Sequence, residues 1–204
     1  MFRVSVTELC EFTAKEGDLD ARFRPAPSPQ EGMAGHLKLW ARRGKEYERE
    51  IALRSSYGDL EIHGRADSYC SANNELEEFK THRGKVERIA ANRRALHWAQ
   101  LKLYGYQLCL ARGLQNIQLT LVYFDIDREV ETPFSESYTF DQLSDFYVQH
   151  CQVFEVWAQK QMEHRKALAS AISDLQFPFE GFHSGQRQLA EQVYRVSRQR
   201  NHLL

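Results

Sequence analysis

The stretch Ile117-Gln118-Leu119-Thr120-Leu121-Val122-Tyr123-Phe124-Asp125 constrains this chain more than any other. It is dense in apolar and β-branched side chains and short for a helix, so it reads as a buried strand. A strand with so little polar surface needs cover, and its neighbours supply it. Over residues 92–112, Trp98, Leu101, Gly105 and Leu108 recur at steps of three and four, which predicts the buried stripe of a long helix. A second long helix is expected over about residues 141–170, with Phe146, Val153 and Trp157 on its inner face. Upstream, residues 50–55, 59–68 and 75–81 read as three strands of an antiparallel meander, the last after the turn-rich Ser71-Ala72-Asn73-Asn74. A further strand at 131–139 is confined to an edge by Pro133. At the N-terminus Ser5 and Glu8 fit a capping box opening a short helix that runs to Gly17. Pro25, Pro27 and Pro29 predict a surface loop over 23–32, and a helical segment over 35–43 carries His36. The expected fold is therefore α/β, a mixed central sheet flanked by helices.

The 204 residues allow one sizeable domain, or one and the beginning of another. With 42% apolar residues the chain can bury a core, which excludes disorder. Its 27 Lys+Arg against 28 Asp+Glu give a net charge of -1, so overall basicity announces no nucleic-acid partner, although a balanced total can hide a basic face. Cys10, Cys70, Cys109 and Cys151 are scattered without a CxxC pair, so they are expected to be reduced, mostly buried thiols. The opening MFRVSVTELCEF has no continuous apolar core, so neither a signal peptide nor a membrane anchor is expected, and the default compartment is the cytoplasm.

The chemistry lies in His63-Gly64-Arg65-Ala66-Asp67 and Glu77-Glu78-Phe79-Lys80-Thr81. Alternation along a strand puts Glu78 and Lys80 on one face and turns Phe79 into the core. Asp67 ends the preceding strand, so two carboxylates converge on a pocket suited to a hard divalent cation, Mg²⁺ or Mn²⁺. Beside it, the Lys80 ammonium can orient or deprotonate an attacking water and offset charge on a pentavalent phosphorus. An Asp followed by ExK is by itself common, and the same residues suit a solvated hairpin edge. On the long helix Gln100 and Tyr104 share a face with His97; they can bond phosphate oxygens or stack on a base, or simply border the core. His36 is open between a helix-surface histidine and a metal ligand.

Taken in order, His36, Gly64-Arg65-Ala66-Asp67, Glu78-Phe79-Lys80 and Gln100-Leu101-Lys102-Leu103-Tyr104 resemble the motif set of the RecB-type branch of the PD-(D/E)xK nucleases, over about residues 1–170. The resemblance implies a restriction-endonuclease-like core in which Asp67, Glu78 and the Phe79 carbonyl bind the metal with His36, Lys80 is catalytic together with Asp67 and Glu78, and Gln100 and Tyr104 support the site and contact DNA. Some members carry a four-cysteine iron-sulfur staple; the cysteines here lack that clustering, so no cluster is expected. The run from Lys80 to Arg94 carries Lys80, Arg83, Lys85, Arg88, Arg93 and Arg94 against Glu87 alone. Such a run can track a phosphate backbone, with Arg83, Lys85, Arg93 and Arg94 as DNA contacts, or form a solvated loop.

The segment from Phe177 to Arg187 and the helical pattern after it resemble the opening of a DinG/XPD-like superfamily 2 helicase, where Gln186 would read a nucleotide base. No GxxxxGK(S/T) phosphate loop is present, so ATP would enter only through a helicase part outside these residues. The domains expected are a nuclease domain, 1–173, and the start of a helicase domain, 174–204. The expected function is a metal-dependent deoxyribonuclease, a single-stranded DNA exonuclease serving a DNA repair helicase continuous with it in the parent protein. The alternative is a nuclease-fold module that positions DNA for the helicase without cleaving it.

Overall fold

A computed structural model of the chain describes residues 2–17, 27–173 and 181–199. The elements in order are β1 (Phe2–Ser5), α1 (Val6–Thr13), α2 (Pro29–Arg42), β2 (Tyr47–Tyr57), β3 (Leu60–Cys70), β4 (Glu75–His82), a single 3-10 turn (Val86–Arg88), α3 (Ala91–Arg112), β5 (Asn116–Asp125), β6 (Val130–Thr139), α4 (Phe140–Ser173) and α5 (Gln186–Gln199). They divide into two units, Met1–Lys160 and Gln161–Leu204. Among the described residues no helix is long and apolar enough to cross a membrane.

The first unit is built on a six-stranded mixed sheet ordered β1-β3-β4-β5-β6, with β2 on the other side of β3. The β2-β3-β4 meander is antiparallel, whereas β1 joins β3 and β5 joins β4 in parallel. The parallel step from β4 to β5 needs a crossover, and α3 provides it. Along β5, Ile117, Leu119, Leu121 and Tyr123 enter the larger core, while Val122 and Phe124 pack with Leu39 and Phe79 in a smaller one. Burial on both faces is the physical origin of the dense apolar run. β6 carries Pro133 and among the described residues pairs only with β5, as an edge strand must.

Three local expectations are corrected. Pro29 is not in the loop but is the first helical residue of α2, behind a capping box of Ser28 and Glu31, because a missing N–H has no consequence there. The capping box of Ser5 and Glu8 does open α1, but the helix stops at Thr13, well before Gly17. In α4 the inner stripe is Leu143, Tyr147, Cys151, Phe154 and Ala158, with Phe146 and Trp157 half-buried beside it and Val153 exposed. Residues 23–26 of the expected loop and the start of the tail, 174–180, lie outside the described residues. In the second unit α5 covers the expected C-terminal helix.

Candidate active site

β2 pairs along the length of β3, so β1 and β4 share the opposite edge, β1 taking Leu60 to His63 and β4 taking Ser68 to Cys70. Between them, Gly64 to Asp67 have no strand partner on that edge among the described residues. β4 beyond Glu77 has left β3 while still pairing with β5 as far as His82. Backbone groups freed in this way need other partners. Asp67 provides one, its Oδ2 accepting the Phe79 N–H at 2.7 Å. A residue's N–H and C=O leave an extended strand on the same edge, so the Phe79 carbonyl is directed into the same opening.

The faces of β4 follow from its alternation. Phe79 packs under α2 with Leu39, Val122 and Phe124. Glu78 and Lys80 turn toward α3, where Lys80 Nζ donates to Glu78 Oε1 at 2.9 Å and to Gln100 Oε1 at 2.8 Å. Gln100 Nε2 donates to the Tyr104 hydroxyl at 3.3 Å, the two residues sharing a helix face four apart. Tyr104 can lie against β3 only because residue 64 is glycine: a Cβ there would stand 2.5 Å from the ring. From α2, His36 Nδ1 lies 3.2 Å from Asp67 Oδ1, and Trp40 Nε1 donates to the Asp67 backbone oxygen at 3.0 Å. His36, Asp67, Glu78, Phe79, Lys80, Gln100 and Tyr104 are thus brought together from four elements.

Burial pushes the Glu78 carboxyl up to about 7; the charge of Asp67 adds to this, while Lys80 and His36 oppose it. Burial acts against protonation of His36, but its hydrogen bond to Asp67 and the charges of Asp67 and Glu78 carry its pKa above the ordinary value. Burial holds the Tyr104 phenol neutral. Glu78 is 4% exposed, and its Oε2 is buried with no hydrogen-bond partner among the described residues. An unpartnered carboxylate oxygen beside a second carboxylate is unfavourable alone and complementary to a cation. Among the described residues no three His, Cys, Asp or Glu side chains cluster as a ready-made metal cage. Two carboxylates and a carbonyl fit a hard ion that keeps several waters, as Mg²⁺ does.

The basic run disperses. Arg83 is held between Glu31 and Asp127, and Lys85 is exposed after β4. Arg93 and Arg94 occupy the first turn of α3, whose N-cap Ala90 offers no capping side chain, so positive charge and free N–H groups coincide. Gln186 belongs to the second unit, where its Oε1 accepts from the His183 N–H at 2.9 Å. His97 turns from the site to Tyr123, whose hydroxyl lies 2.9 Å from its Nδ1. Sequence reasoning missed Trp40, although its position four residues after His36 places both on one helix face. It also missed Arg43, which carries no motif signal.

No family model and no curated protein matches the sequence. Among solved structures the chain is similar to an alkaline exonuclease from Laribacter hongkongensis, with a TM-score of 0.53 and 11% identity over 83% of this chain and 94% of that one. A phage-related exonuclease from Haemophilus somnus gives 0.47 at 14% identity over 78% and 82%, and the protein SSO0001 gives 0.47 at 21% over 75% and 77%. The mixed six-stranded sheet flanked by helices, and its similarity to the Laribacter enzyme, make the fold PD-(D/E)xK-like.

Proposed function

We propose that this protein is a divalent-metal-dependent deoxyribonuclease that degrades single-stranded DNA from an end. The observation that carries the reading is Glu78 Oε2, buried and unpartnered where Asp67 and the Lys80 ammonium meet at the open edge of the sheet. Fold similarity to a protein described as an exonuclease supports it. Asp67, Glu78 and the Phe79 carbonyl, with His36 beside them, would hold Mg²⁺ or Mn²⁺. Such a cation, when bound, polarises a phosphoryl oxygen and compensates its charge. Lys80, fixed between Glu78 and Gln100, presents an ammonium that can hydrogen-bond a water and stabilise negative charge at phosphorus. Gln100 and Tyr104 brace Lys80 and border the opening as contacts for DNA. Arg93 and Arg94 add positive charge at the free end of α3 for the phosphate backbone, and Lys85 and Arg83 lie along the same run.

End-labelled DNA incubated with Mg²⁺ or Mn²⁺ tests this: cleavage is expected, and Lys80→Ala or Asp67→Ala should abolish it with the circular dichroism spectrum unchanged. Wild-type protein inactive with both metals on every DNA form refutes it. Arg93 and Arg94 at the uncapped start of α3, which need no metal to meet a phosphate backbone, favour a second reading, a module that positions DNA without cutting it. Salt-dependent binding that survives Asp67→Ala, without turnover, supports that reading. The resemblance of the C-terminal segment to a DinG-like opening carries the further proposal that the nuclease works beside a DNA repair helicase. A GxxxxGK(S/T) motif encoded downstream would support it, and a stop codon after Leu204 would refute it.

A further inference from the structure

The edge strand β6 carries an aromatic ring that the core does not use. Phe134 lies in the middle of the strand and is 41% exposed, whereas an open sheet edge is ordinarily guarded by charge. Register fixes its place. Glu78 pairs with Leu121 and Leu121 with Phe134, so the ring is on the face of Glu78 and Lys80, two strands and about 10 Å from Glu78. That span is about three nucleotides at the stacked rise of about 3.4 Å. Phe134 stands edge-on to Tyr123, the ring centroids 6.0 Å apart at 78°, and the Tyr123 hydroxyl is 2.9 Å from His97 Nδ1 on α3. Tyr123 is fully buried, so Phe134 is braced by a fixed neighbour while much of its ring meets solvent. Arg93 and Arg94 are close enough for their charges to act on Tyr123, and neither makes an ion pair among the described residues. Of the acids on this side of the sheet, Asp125 faces Arg128, Glu136 accepts from the Tyr138 hydroxyl, and Glu87 is exposed on the loop before α3. Two unpaired guanidinium groups beside an open ring complement an anion that has aromatic faces to offer. Single-stranded nucleic acid is such an anion, because in a duplex the base faces already cover one another.

We propose that Phe134 is a stacking platform for a base of single-stranded DNA, with Arg93 and Arg94 meeting the phosphates beside it. The proposal deepens the nuclease reading and rests on it for the substrate, but the binding itself needs neither metal nor cleavage. Fluorescence anisotropy of the full chain in EDTA, with labelled oligothymidylate, an abasic strand of equal length and a blunt hairpin duplex, tests it. Phe134→Leu keeps apolar cover on Tyr123 but removes the ring, so it should weaken oligothymidylate binding by about five- to hundredfold. The abasic strand and the duplex should be indifferent to that change, and Phe134→Trp should bind oligothymidylate as the wild type does. Arg93→Ala combined with Arg94→Ala should weaken both single strands and flatten their salt dependence. Should the leucine variant fail to fold, the wild type still decides, since it should bind oligothymidylate about tenfold more tightly than the abasic strand. Absence of oligothymidylate binding, an abasic strand held as tightly, or binding indifferent to Phe134→Leu overturns the assignment. A dimer that Phe134→Leu dissociates, with no strand bound, makes the ring an interface between copies and overturns it too. Ring-dependent strand binding without cleavage in Mg²⁺ or Mn²⁺ refutes the nuclease reading and keeps the platform; cleavage with binding indifferent to Phe134→Leu does the reverse.

Discussion

Arg43 lies between Glu77 and Glu131, its Nε 3.0 and 2.8 Å from the two Glu77 oxygens and an Nη 2.9 Å from Glu131, with its guanidinium against the Phe79 ring. The Glu77 side chain is 5% exposed, so Arg43→Ala would strand a buried carboxylate. A loss of about 3–5 kcal/mol is expected in urea unfolding, partly recovered by adding Glu77→Gln. His97 gives a pH signature. Burial, with Lys80 and Arg93 nearby, depresses its pKa to about 3, so the folded chain keeps it neutral while the unfolded chain takes up a proton below about 6.5. The unfolded state then binds more protons, and stability falls as pH drops from about 6.5 toward 3, by at most about 1.4 kcal/mol per pH unit from this group. His97→Gln should flatten thermal stability between pH 4 and 6.5; an unchanged slope would contradict the assignment. The four cysteines are buried, and burial pushes Cys10 and Cys151 up to about 12 and Cys109 to about 11. A thiol-reactive dye should label them only on unfolding.

Elements meet the site through close approach. Gly64 lets α3 lay Tyr104 on β3, so Gly64→Ala should cost about 1–3 kcal/mol by forcing the ring away. In a Tyr104→Leu background the penalty should shrink, and a double-mutant cycle on urea midpoints reads the coupling. Gly35 plays the same part for α2, since a Cβ there would meet the Thr81 methyl at 2.5 Å. The helix and strand periods were legible from residues such as Leu101, Leu108 and Phe79, but the phase of α4 was not. Val153 satisfies the same spacing as Phe154, and the choice between them belongs to what the helix meets, including Tyr147 donating to Ser55 at 2.9 Å. β1 escaped notice because four residues carry no alternation; it exists through parallel pairing with Leu60 to His63. α1 ends early for a related reason: after Cys10 the turn at Thr13 has little left to bury, and its hydroxyl turns back to the Leu9 carbonyl.

For the molecule as a whole, the last fully buried side chain of α4 among the described residues is Ala158, so the packed core is complete within the first unit. A chain ending at Ser173 should keep the thermal midpoint within a few degrees, corresponding to a change of less than about 1 kcal/mol; a large drop would show that the second unit shares in the core's stability. By itself, the sequence determined the α/β class and the order of the main elements, because alternation and helical spacing are local properties of the backbone; His36, Asp67, Glu78, Lys80, Gln100 and Tyr104 stood out only through their resemblance, taken in order, to a known motif set. Only the tertiary structure decided that β1 and β4 divide one edge of β3, that Asp67 bonds Phe79 across the gap, that His36 and Trp40 reach Asp67 from α2, and that Glu78 Oε2 is buried with no hydrogen-bond partner among the described residues. Those facts arise from pairings between residues far apart in the chain, whose energies depend on what each group meets once solvent is excluded.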